Sequence, residues 1–264
     1  MIPTPALLFC PADRPERFGK AALAADAVII DLEDAVAPAA KSAARLAVLR
    51  MELDPDRTIV RVNPVGTDDH RLDIATVERT PYRRIMLAKS ETSAQLDDVE
   101  DYEVLALVET ALGVENVASI AQHSAVVGVM WGAEDLIASM GGRSSRFGHG
   151  PYRDVARFAR SRVLVAAKAA GKAAVDAVHI DIADQAGLRL EAEDAVASGF
   201  DATACIHPSQ VAIVRDAYAP TDAEREWAMR VLELSSVNRG VFRFDGRMID
   251  EPLLRQARAI VARG

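Results

Sequence analysis

Residues 26–36 read Asp-Ala-Val-Ile-Ile-Asp-Leu-Glu-Asp-Ala-Val, and the order of residue types in this stretch recurs along the whole chain. An almost wholly apolar run, Ala27–Leu32, is followed at once by two carboxylates, Glu33 and Asp34. A short apolar run without polar alternation is typical of a strand in a parallel sheet, because both faces of such a strand are covered. The stretch therefore predicts a buried strand that ends in acidic residues.

Runs of this kind occur eight times, and longer stretches rich in Ala, Leu, Arg and Glu separate them. Strands that alternate with helices predict a parallel sheet with crossover helices. Eight such units in 264 residues predict a single (β/α)₈ barrel. The predicted strands are Ala6–Cys10, Ala27–Leu32, Thr58–Val62, Arg84–Ala88, Val104–Val108, Ala125–Trp131, Ala177–Ile182 and Ala202–Ile206.

An open doubly wound sheet is the alternative fold, because it shows the same alternation and also binds ligands at the carboxyl ends of its strands. The sequence has neither a Gly-rich dinucleotide fingerprint after an early strand nor a GxxxxGK phosphate loop, which favours the barrel. The predicted crossover helices are Pro38–Glu52, Asp69–Thr76, Ser93–Glu100, Gly113–Gln122, Arg153–Ala170 and Glu191–Ser198.

The pattern changes after about residue 220. A helix is predicted over Asp222–Val237, then a hairpin segment, Arg239–Asp245, with turn chemistry at Asp245-Gly246, and a last helix from Glu251. We therefore predict a barrel domain over residues 1–220 and a C-terminal helical and hairpin extension over 221–264, which would act as a lid or an oligomer contact.

Composition excludes two classes of partner. The formal net charge is −8, whereas nucleic acids and anionic membranes attract clustered Lys and Arg. The sequence shows no signal-peptide pattern at its start and no apolar run of the ~18 residues that span a bilayer. A cytoplasmic protein is expected. Cys10 and Cys205 each end an apolar run and are expected to be buried free thiols.

Charged or polar residues follow nearly every predicted strand on its carboxyl side. In a barrel these strand ends converge on one rim, where the catalytic residues of this architecture lie. The residues are Asp13 and Arg14; Asp31, Glu33 and Asp34; Arg61 and Asn63; Lys89 and Glu91; Glu109; Glu134 and Asp135; Asp181 and Asp184; His207 and Gln210.

Each of these residues also has a purely structural interpretation. Asp34, Asp135 and Asp184 precede possible helices and are candidate N-caps. Arg61 could simply pair with a neighbouring carboxylate, Asp31 or Glu33. So many carboxylates at one rim would repel one another without a compensating cation, which favours a metal site.

The available ligand types point to a hard metal ion. None of the five histidines lies in an HExxH pattern and there is no CxxC pair, so zinc is not expected. Oxygen ligands with positions left for water and substrate suit Mg²⁺ or Mn²⁺, and Mg²⁺ is the default expectation. Arg61 and Lys89 would then face an anionic substrate, with Arg61 able to grip a carboxylate through two hydrogen bonds. The Gly- and Arg-rich loop over 141–150 would either close over that substrate or lie free in solvent.

The order of these motifs resembles that of citrate lyase beta subunits and malyl-CoA lyases. This family consists of magnesium-dependent (β/α)₈ aldol/Claisen lyases of acyl-CoA substrates, and the resemblance spans almost the whole chain. The matching motifs are PALLFCPADRPERFGKA, DAVIIDLEDAVAP, IVRVNP, MLAKSE, LALVET, VMWGAEDL, GFDATACIHPSQV and FDGRMIDEP.

The resemblance implies roles for residues around the metal. Glu109 and Asp135 would ligate Mg²⁺, with Glu109 also next to the substrate. Arg61 would hold the carboxylate of the oxo-acid. Glu33 and Asp34 would hold metal-bound waters.

The resemblance also implies how the thioester and the assembly are arranged. Arg14 and Lys20 would contact the CoA phosphates. Asp250 would reach the site of a neighbouring subunit as a catalytic acid, which implies a homo-oligomer, most simply a trimer.

Three functions follow as alternatives. The first is a free-standing lyase or synthase acting on a β-hydroxyacyl-CoA. The second is a citrate lyase beta subunit that cleaves a citryl group on an acyl-carrier protein to give oxaloacetate. The third is a non-catalytic protein that binds CoA thioesters or oxo-acids.

Overall fold

The structure is a computed structural model that describes residues 2–148, 150–238 and 240–263. Two positions named in the sequence predictions, His149 in the loop and Arg239 at the start of the hairpin, lie outside the described residues. The chain divides into two compact units, Met1–Val214 and Arg215–Gly264, which are taken separately below.

Eight parallel strands of the first unit form a closed barrel, in which each strand pairs with its sequence neighbours and the first pairs with the last. This confirms the predicted (β/α)₈ fold. The strands are β1 (Ala6–Pro11), β2 (Ala27–Asp31), β3 (Thr58–Val62), β4 (Arg84–Leu87), β5 (Glu103–Val108), β6 (Val126–Trp131), β7 (Ala173–Asp176) and β8 (Ala202–Cys205).

Helices connect the strands. Short 3₁₀ segments precede some of them, and Ser93–Val99 is a 3₁₀ helix rather than an α-helix. None of the described helices is long and apolar enough to span a bilayer. The α-helices of this part of the chain are α1 (Phe18–Ala24), α2 (Lys41–Arg50), α3 (Asp68–Val77), α4 (Ala111–Gln122), α5 (Ala133–Ser139), α6 (Asp154–Ala169), α7 (Gln185–Ser198) and α8 (Pro208–Tyr218).

The barrel interior explains how the site is built. Leu7, Ile29, Ile59 and Leu107 belong to the buried cluster inside the barrel. Side chains alternate between the two faces of a strand, so residues two positions further on point the same way. Those next inward positions hold Phe9, Asp31, Arg61 and Glu109. The alternation that fills the core with apolar side chains therefore also presents three charged ones, Asp31, Arg61 and Glu109, at the carboxyl ends of their strands.

The seventh predicted strand, Ala177–Ile182, is wrong. The strand is the shorter run Ala173–Asp176, which begins two residues after Gly171, a residue with φ +69° beyond the end of α6. Ile180 and Ile182 are exposed by 50% and 44% in the loop that follows. The segment contains two apolar runs in succession, and only pairing with β6 and β8 decides which run enters the barrel.

The two cysteines are buried, as predicted, and form no disulfide within the described chain. Cys10 lies in β1 and Cys205 in β8, which are adjacent strands. Burial raises the pKa of the Cys10 thiol to about 11, which keeps it protonated and unreactive at neutral pH.

The second unit contains two helices and a hairpin. Helix α9 (Asp222–Val237) confirms the predicted helix and begins at a capping box between Thr221 and Glu224. Strands β9 (Phe242–Phe244) and β10 (Arg247–Ile249) form the hairpin, and helix α10 (Glu251–Arg263) follows. The turn residues Asp245 and Gly246 both have positive φ, as the Asp-Gly sequence predicts. The core of this unit is formed by Ala228, Val231, Ile249 and Ala257.

Candidate active site

Two carboxylates hold Arg61 near the carboxyl end of β3. Its Nε and Nη2 donate to Oδ1 and Oδ2 of Asp31 at 2.7 and 2.6 Å, and its Nη1 lies 3.0 Å from Oε2 of Glu33. Asp31 is itself fixed by the backbone N–H of Glu33, which donates to its Oδ1 at 2.8 Å. The guanidinium lies 5.0 Å from the centre of the Phe9 ring. Pairing between Arg61 and both carboxylates is thus observed, as the structural interpretation proposed.

This pairing leaves donors on Arg61 for a ligand. A guanidinium has five N–H groups, and these contacts engage three of them. Arg61 lines an open cavity and is 9% exposed. Its carboxylate partners raise its pKa despite burial, so it stays charged. The residue is therefore a rigid cation with N–H groups still available.

Glu109 follows β5 directly and is 2% exposed. Its Oε1 accepts a hydrogen bond of 3.1 Å from the backbone N–H of Lys89. A Cβ atom on Gly132 would lie 2.8 Å from both Oε2 and Cβ of Glu109, so glycine at 132 makes room for this carboxyl group. Burial and the neighbouring Asp135 carboxylate raise the pKa of Glu109 to about 8.

Lys89 lies among four carboxylates from three segments of the chain. Its ammonium contacts Oε1 of Glu33, lies 3.3 Å from Oδ2 of Asp34, and lies 3.9 and 4.0 Å from Oδ1 of Asp135 and Oε1 of Glu109. Burial raises the pKa of Glu33, an effect opposed by Arg61 and Lys89. The structure thus brings together all of the predicted metal, water-holding and carboxylate-binding residues of the barrel.

The donor set at this rim suits a magnesium ion. Glu109 and Asp135 supply carboxylate oxygens beside each other, and burial together with the Asp135 carboxylate raises the pKa of Glu109, as expected where two carboxyl groups share a site without a metal ion. Among the described residues no three His, Cys, Asp or Glu side chains converge as a complete metal cage. Mg²⁺ is usually held by one or two carboxylates together with waters and substrate, so two ligands are sufficient.

A cavity of about 200 Å³ opens beside these carboxylates. Arg61, Glu109 and Asp135 face it, and Arg61 is the only Lys or Arg among its described lining residues. The rest of its wall is largely apolar. The apolar side chains are Phe9, Ala35, Leu107, Met130, Ala133, Val178 and Ile206.

A second cavity, of about 340 Å³, shares Phe9 and Ile206 with the first. Lys20 lines it, together with Arg17, which the sequence analysis did not single out. Arg14 is not among its described lining residues; its side chain is 56% exposed. The spacing of Arg17 and Lys20 along one short helical segment was the available signal, because residues three apart share a helix face.

Several predicted rim residues have structural roles instead. Asp184 is the N-cap of α7, where its Oδ1 accepts from the N–H of Gly187 at 2.8 Å. Asp34 and Asp135 are not N-caps, since Asp34 pairs with Lys89 and Asp135 lies inside the first turn of α5. Gln210 donates to the carbonyl of His179 at 2.8 Å. These bonds hold the loops around the rim in place.

The remaining members of the predicted set do not join the cavity. Asn63 binds Asp73 and the carbonyl of Leu32, which anchors the end of β3. His207 is exposed, and its Nδ1 lies 2.8 Å from Oγ of Ser209. Asp13, Glu91 and Asp181 are likewise absent from the described lining of the first cavity. Glu134, in contrast, lines it and accepts a hydrogen bond from Ser145.

The loop over 141–150 is anchored at its centre. Ser145 is buried and donates to Glu134 at 2.6 Å, and Arg146 pairs with Glu191 of α7. The Arg146 guanidinium also lies 3.7 Å from the centre of the Tyr152 ring. Exposed residues flank this anchor on both sides.

Asp250 belongs to the second unit. It precedes α10, and its Oδ1 accepts from the backbone N–H of Leu253 at 3.3 Å.

Fold and site together define a (β/α)₈-barrel protein with an oxygen-donor acidic pocket beside a fixed arginine. The sequence profile of the HpcH/HpaI aldolase/citrate lyase family matches residues 6–208, and the chain belongs to this family. The family resemblance stated from the motifs is thereby confirmed.

Curated relatives cover the chain almost completely. A citrate lyase subunit beta-like protein of Mycobacterium tuberculosis is 54% identical over 259 residues, 98% of this chain and 95% of the relative. Human mitochondrial citramalyl-CoA lyase is 31% identical over 98% of this chain and 85% of the relative. A (3S)-malyl-CoA thioesterase of Cereibacter sphaeroides is 34% identical over 99% of this chain and 94% of the relative.

A solved relative matches the chain over almost its whole length. The crystal structure of CitE from Mycobacterium tuberculosis in complex with magnesium, acetoacetate and coenzyme A has a TM-score of 0.95 and 54% identity, and covers 99% of this chain and 98% of that one. The chain is thus a member of a family of lyases connected with CoA thioesters.

Proposed function

We propose that the protein is a Mg²⁺-dependent carbon–carbon lyase that cleaves, or in reverse forms, a β-hydroxyacyl-CoA. The products of cleavage are an acyl-CoA such as acetyl-CoA and an oxo-acid. The observation that carries the proposal is the buried Glu109 carboxyl beside Asp135, facing the same cavity as Arg61. A metal site and an anion site side by side are what a chelating hydroxy- or oxo-acid requires.

Cleavage requires a Lewis acid at the substrate hydroxyl oxygen and a cation beside the substrate carboxylate. Glu109 and Asp135 would hold Mg²⁺, which when bound supplies Lewis-acid stabilisation of the hydroxyl oxygen as it becomes a carbonyl oxygen. Glu33 and Asp34 would hold metal-bound waters. Arg61 keeps its place through Asp31 and offers its remaining N–H groups to the oxo-acid carboxylate.

Cleavage moves one proton from the substrate hydroxyl to the carbon next to the thioester carbonyl. The bond between that carbon and the hydroxyl-bearing carbon breaks, and its electron pair becomes the enolate of the acyl-CoA. We assign protonation of this carbon to Asp250 of a neighbouring subunit in a homotrimer, as the motif resemblance implies. Lys20 and Arg17, at the adjoining cavity, would hold the CoA phosphates, with Arg14 next to them in sequence as a further contact.

The first cavity favours an oxo-acid with one carboxylate and a small apolar group. Arg61 is the only Lys or Arg among its described lining residues, so a second carboxylate, as in oxaloacetate, would lack a matching cation there. Citramalyl-CoA gives pyruvate, and 3-hydroxy-3-methylglutaryl-CoA gives acetoacetate. Relatives named for citramalyl-CoA cleavage and for pyruvate and acetoacetate complexes agree with this choice. A further relative is complexed with oxaloacetate, so the citrate lyase alternative is kept in the test below.

The test is a panel of malyl-, citramalyl-, citryl- and 3-hydroxy-3-methylglutaryl-CoA, with Mg²⁺ or with EDTA. Carbon–carbon cleavage releases an oxo-acid and leaves the thioester intact, whereas hydrolysis releases a free thiol. Separate assays of oxo-acid and thiol therefore distinguish a lyase from a thioesterase, which is the named activity of one relative.

We expect oxo-acid without free thiol, loss of activity with EDTA and in Glu109→Ala, and full activity in Glu115→Ala as a matched control. Glu115 lies on α4, away from the described lining of both cavities. Thiol release as the only reaction would indicate a thioesterase. No reaction with free thioesters would favour the carrier-protein subunit or a non-catalytic binder, and co-purification with an acyl-carrier protein separates those two.

A further inference from the structure

One lysine contacts both halves of the acidic rim. The ammonium of Lys89 lies between the pair that would ligate the metal, Glu109 and Asp135, and the pair that would hold its waters, Glu33 and Asp34. Within the described chain, Lys89 is the only cation in an ion pair with Glu109 or Asp135. Arg61 is engaged by Asp31 and Glu33 instead.

The backbone places Lys89 in this position. Lys89 has φ +50°, in the left-handed region that non-glycine residues rarely adopt. In this conformation its N–H donates to Oε1 of Glu109 while its side chain reaches Glu33. Such backbone conformations occur where surrounding contacts fix them, often at functional sites. Lys89 thus contacts the site through its backbone N–H and its ammonium group, and only the ammonium is charged.

We propose that Lys89 is a tethered counter-ion of the metal site, which neutralises the carboxylates before Mg²⁺ arrives and weakens Mg²⁺ binding through charge repulsion afterwards. This inference rests on the proposed metal site at Glu109 and Asp135. Lys89 is thus a positioning residue that sets the affinity for the ion.

The physical reason is competition between two cations for one set of anions. Without the metal, the ammonium offsets repulsion among carboxylates at a partly buried site, where charge interactions are stronger than in water. A divalent ion at Glu109 and Asp135 would take over this role. Because the tether prevents Lys89 from leaving, its positive charge opposes the ion. An anionic oxo-acid would relieve that repulsion, so Mg²⁺ and the oxo-acid bind more tightly together than alone.

The experiment measures Mg²⁺ affinity by calorimetry for the wild type, Lys89→Met and Lys89→Arg, without and with pyruvate. Lys89→Met removes the charge and keeps the backbone N–H and an unbranched side chain one atom shorter. Loss of one nearby charge is expected to tighten Mg²⁺ binding about tenfold and to reduce the gain from pyruvate. Lys89→Arg retains the charge and is expected to stay within about threefold of the wild type. Lys168→Met, which removes an exposed ion pair with Asp201, is the matched control.

A second readout does not depend on titrating the ion. In EDTA the melting temperature of Lys89→Met is expected to fall below that of the wild type, and saturating Mg²⁺ is expected to close the gap. Equal or weaker Mg²⁺ binding in Lys89→Met, with binding lost in Glu109→Ala, overturns the role of Lys89 and leaves the metal site standing. Unchanged Mg²⁺ binding in Glu109→Ala instead overturns the metal site itself.

Discussion

Asp31 and Arg61 lie opposite each other on the neighbouring strands β2 and β3, joined by two parallel hydrogen bonds of 2.7 and 2.6 Å. Asp31 is 1% exposed and Arg61 9%. The two hydrogen bonds hold the long Arg61 side chain in one position near the carboxyl end of β3. Removing one partner of a buried pair leaves an uncompensated charge, so this contact affects both stability and activity.

We expect Asp31→Ala to lower the free energy of unfolding by about 3–5 kcal/mol, measured by urea denaturation, because it strips a buried guanidinium of its main partner. Asp68→Ala is the control, since its ion pair with Arg71 is exposed on α3. That variant is expected to change stability by at most about 0.5 kcal/mol. Similar losses of unfolding free energy in the two variants would show that the buried Asp31–Arg61 pair stabilises the fold no more than an exposed ion pair.

Gly132→Ala tests the space that Glu109 needs. The added methyl group would meet Glu109 at 2.8 Å and must displace its carboxyl group. We expect Mg²⁺ affinity to fall at least about tenfold, as for a poorly placed ligand. Gly19→Ala is the control, because a Cβ there meets nothing within 4 Å. Wild-type Mg²⁺ affinity in Gly132→Ala would mean that Glu109 does not bind the ion in the position described.

The affinity for Mg²⁺ is expected to rise with pH up to about 8 and then level off. Burial and Asp135 raise the pKa of Glu109 to about 8, so at pH 7 most molecules carry a proton on this carboxyl that the ion must displace. Above that pH the carboxylate is already ionised and no proton is released. Calorimetry in buffers of different ionisation enthalpy measures the release, and equal release at pH 6 and pH 9 would contradict the expectation.

Lys20→Ala and Arg17→Ala are expected to raise the KM for a CoA thioester about tenfold with little change in kcat. Phosphate contacts far from the reacting bond stabilise the bound substrate and the transition state equally, so their loss weakens binding without slowing the chemical step. The effect should shrink with added salt, which screens exposed charges. Arg71→Ala removes an exposed arginine on α3 and serves as the control. A fall in kcat without a change in KM would contradict a role in binding the CoA phosphates and would indicate a role in the chemical step.

Active-site sharing can be tested by complementation. If Asp250 serves a neighbouring subunit, Glu109→Ala and Asp250→Asn are each inactive alone, but mixed assemblies regain sites with both residues intact. Random mixing in a closed ring gives about a quarter of the wild-type activity. Light scattering establishes the number of subunits. Wild-type cleavage rates in Asp250→Asn alone would remove Asp250 from the mechanism.

Most of the barrel was predictable because its signals are local. Seven of the eight predicted strands overlap observed ones, since each is a single apolar run between turn residues. The seventh failed where two apolar runs follow each other, Ala173–Val175 and Ala177–Val178, because pairing with neighbouring strands selects between them. The short helix α5 was also missed, because seven residues carry too little periodicity to predict.

The residues of the site were predictable as a set, but their partners were not. Counting two positions beyond an inward apolar residue leads to Asp31, Arg61 and Glu109, so the alternation along each strand determines that they face inward. Which carboxylate pairs with Arg61, and that Lys89 joins four carboxylates, depends on distances between strands that are far apart in sequence.

The sequence by itself determined the alternating strands and helices, the acidic strand ends and the family motifs, because these depend on residue type and spacing along the chain. Only the tertiary structure decided the raised pKa of Glu109, the room that Gly132 leaves for it, and the cavity shared by Arg61 and Asp135. The physical reason is that burial and charge–charge distance arise from closure of the barrel, which brings residues from different strands within a few ångströms of one another.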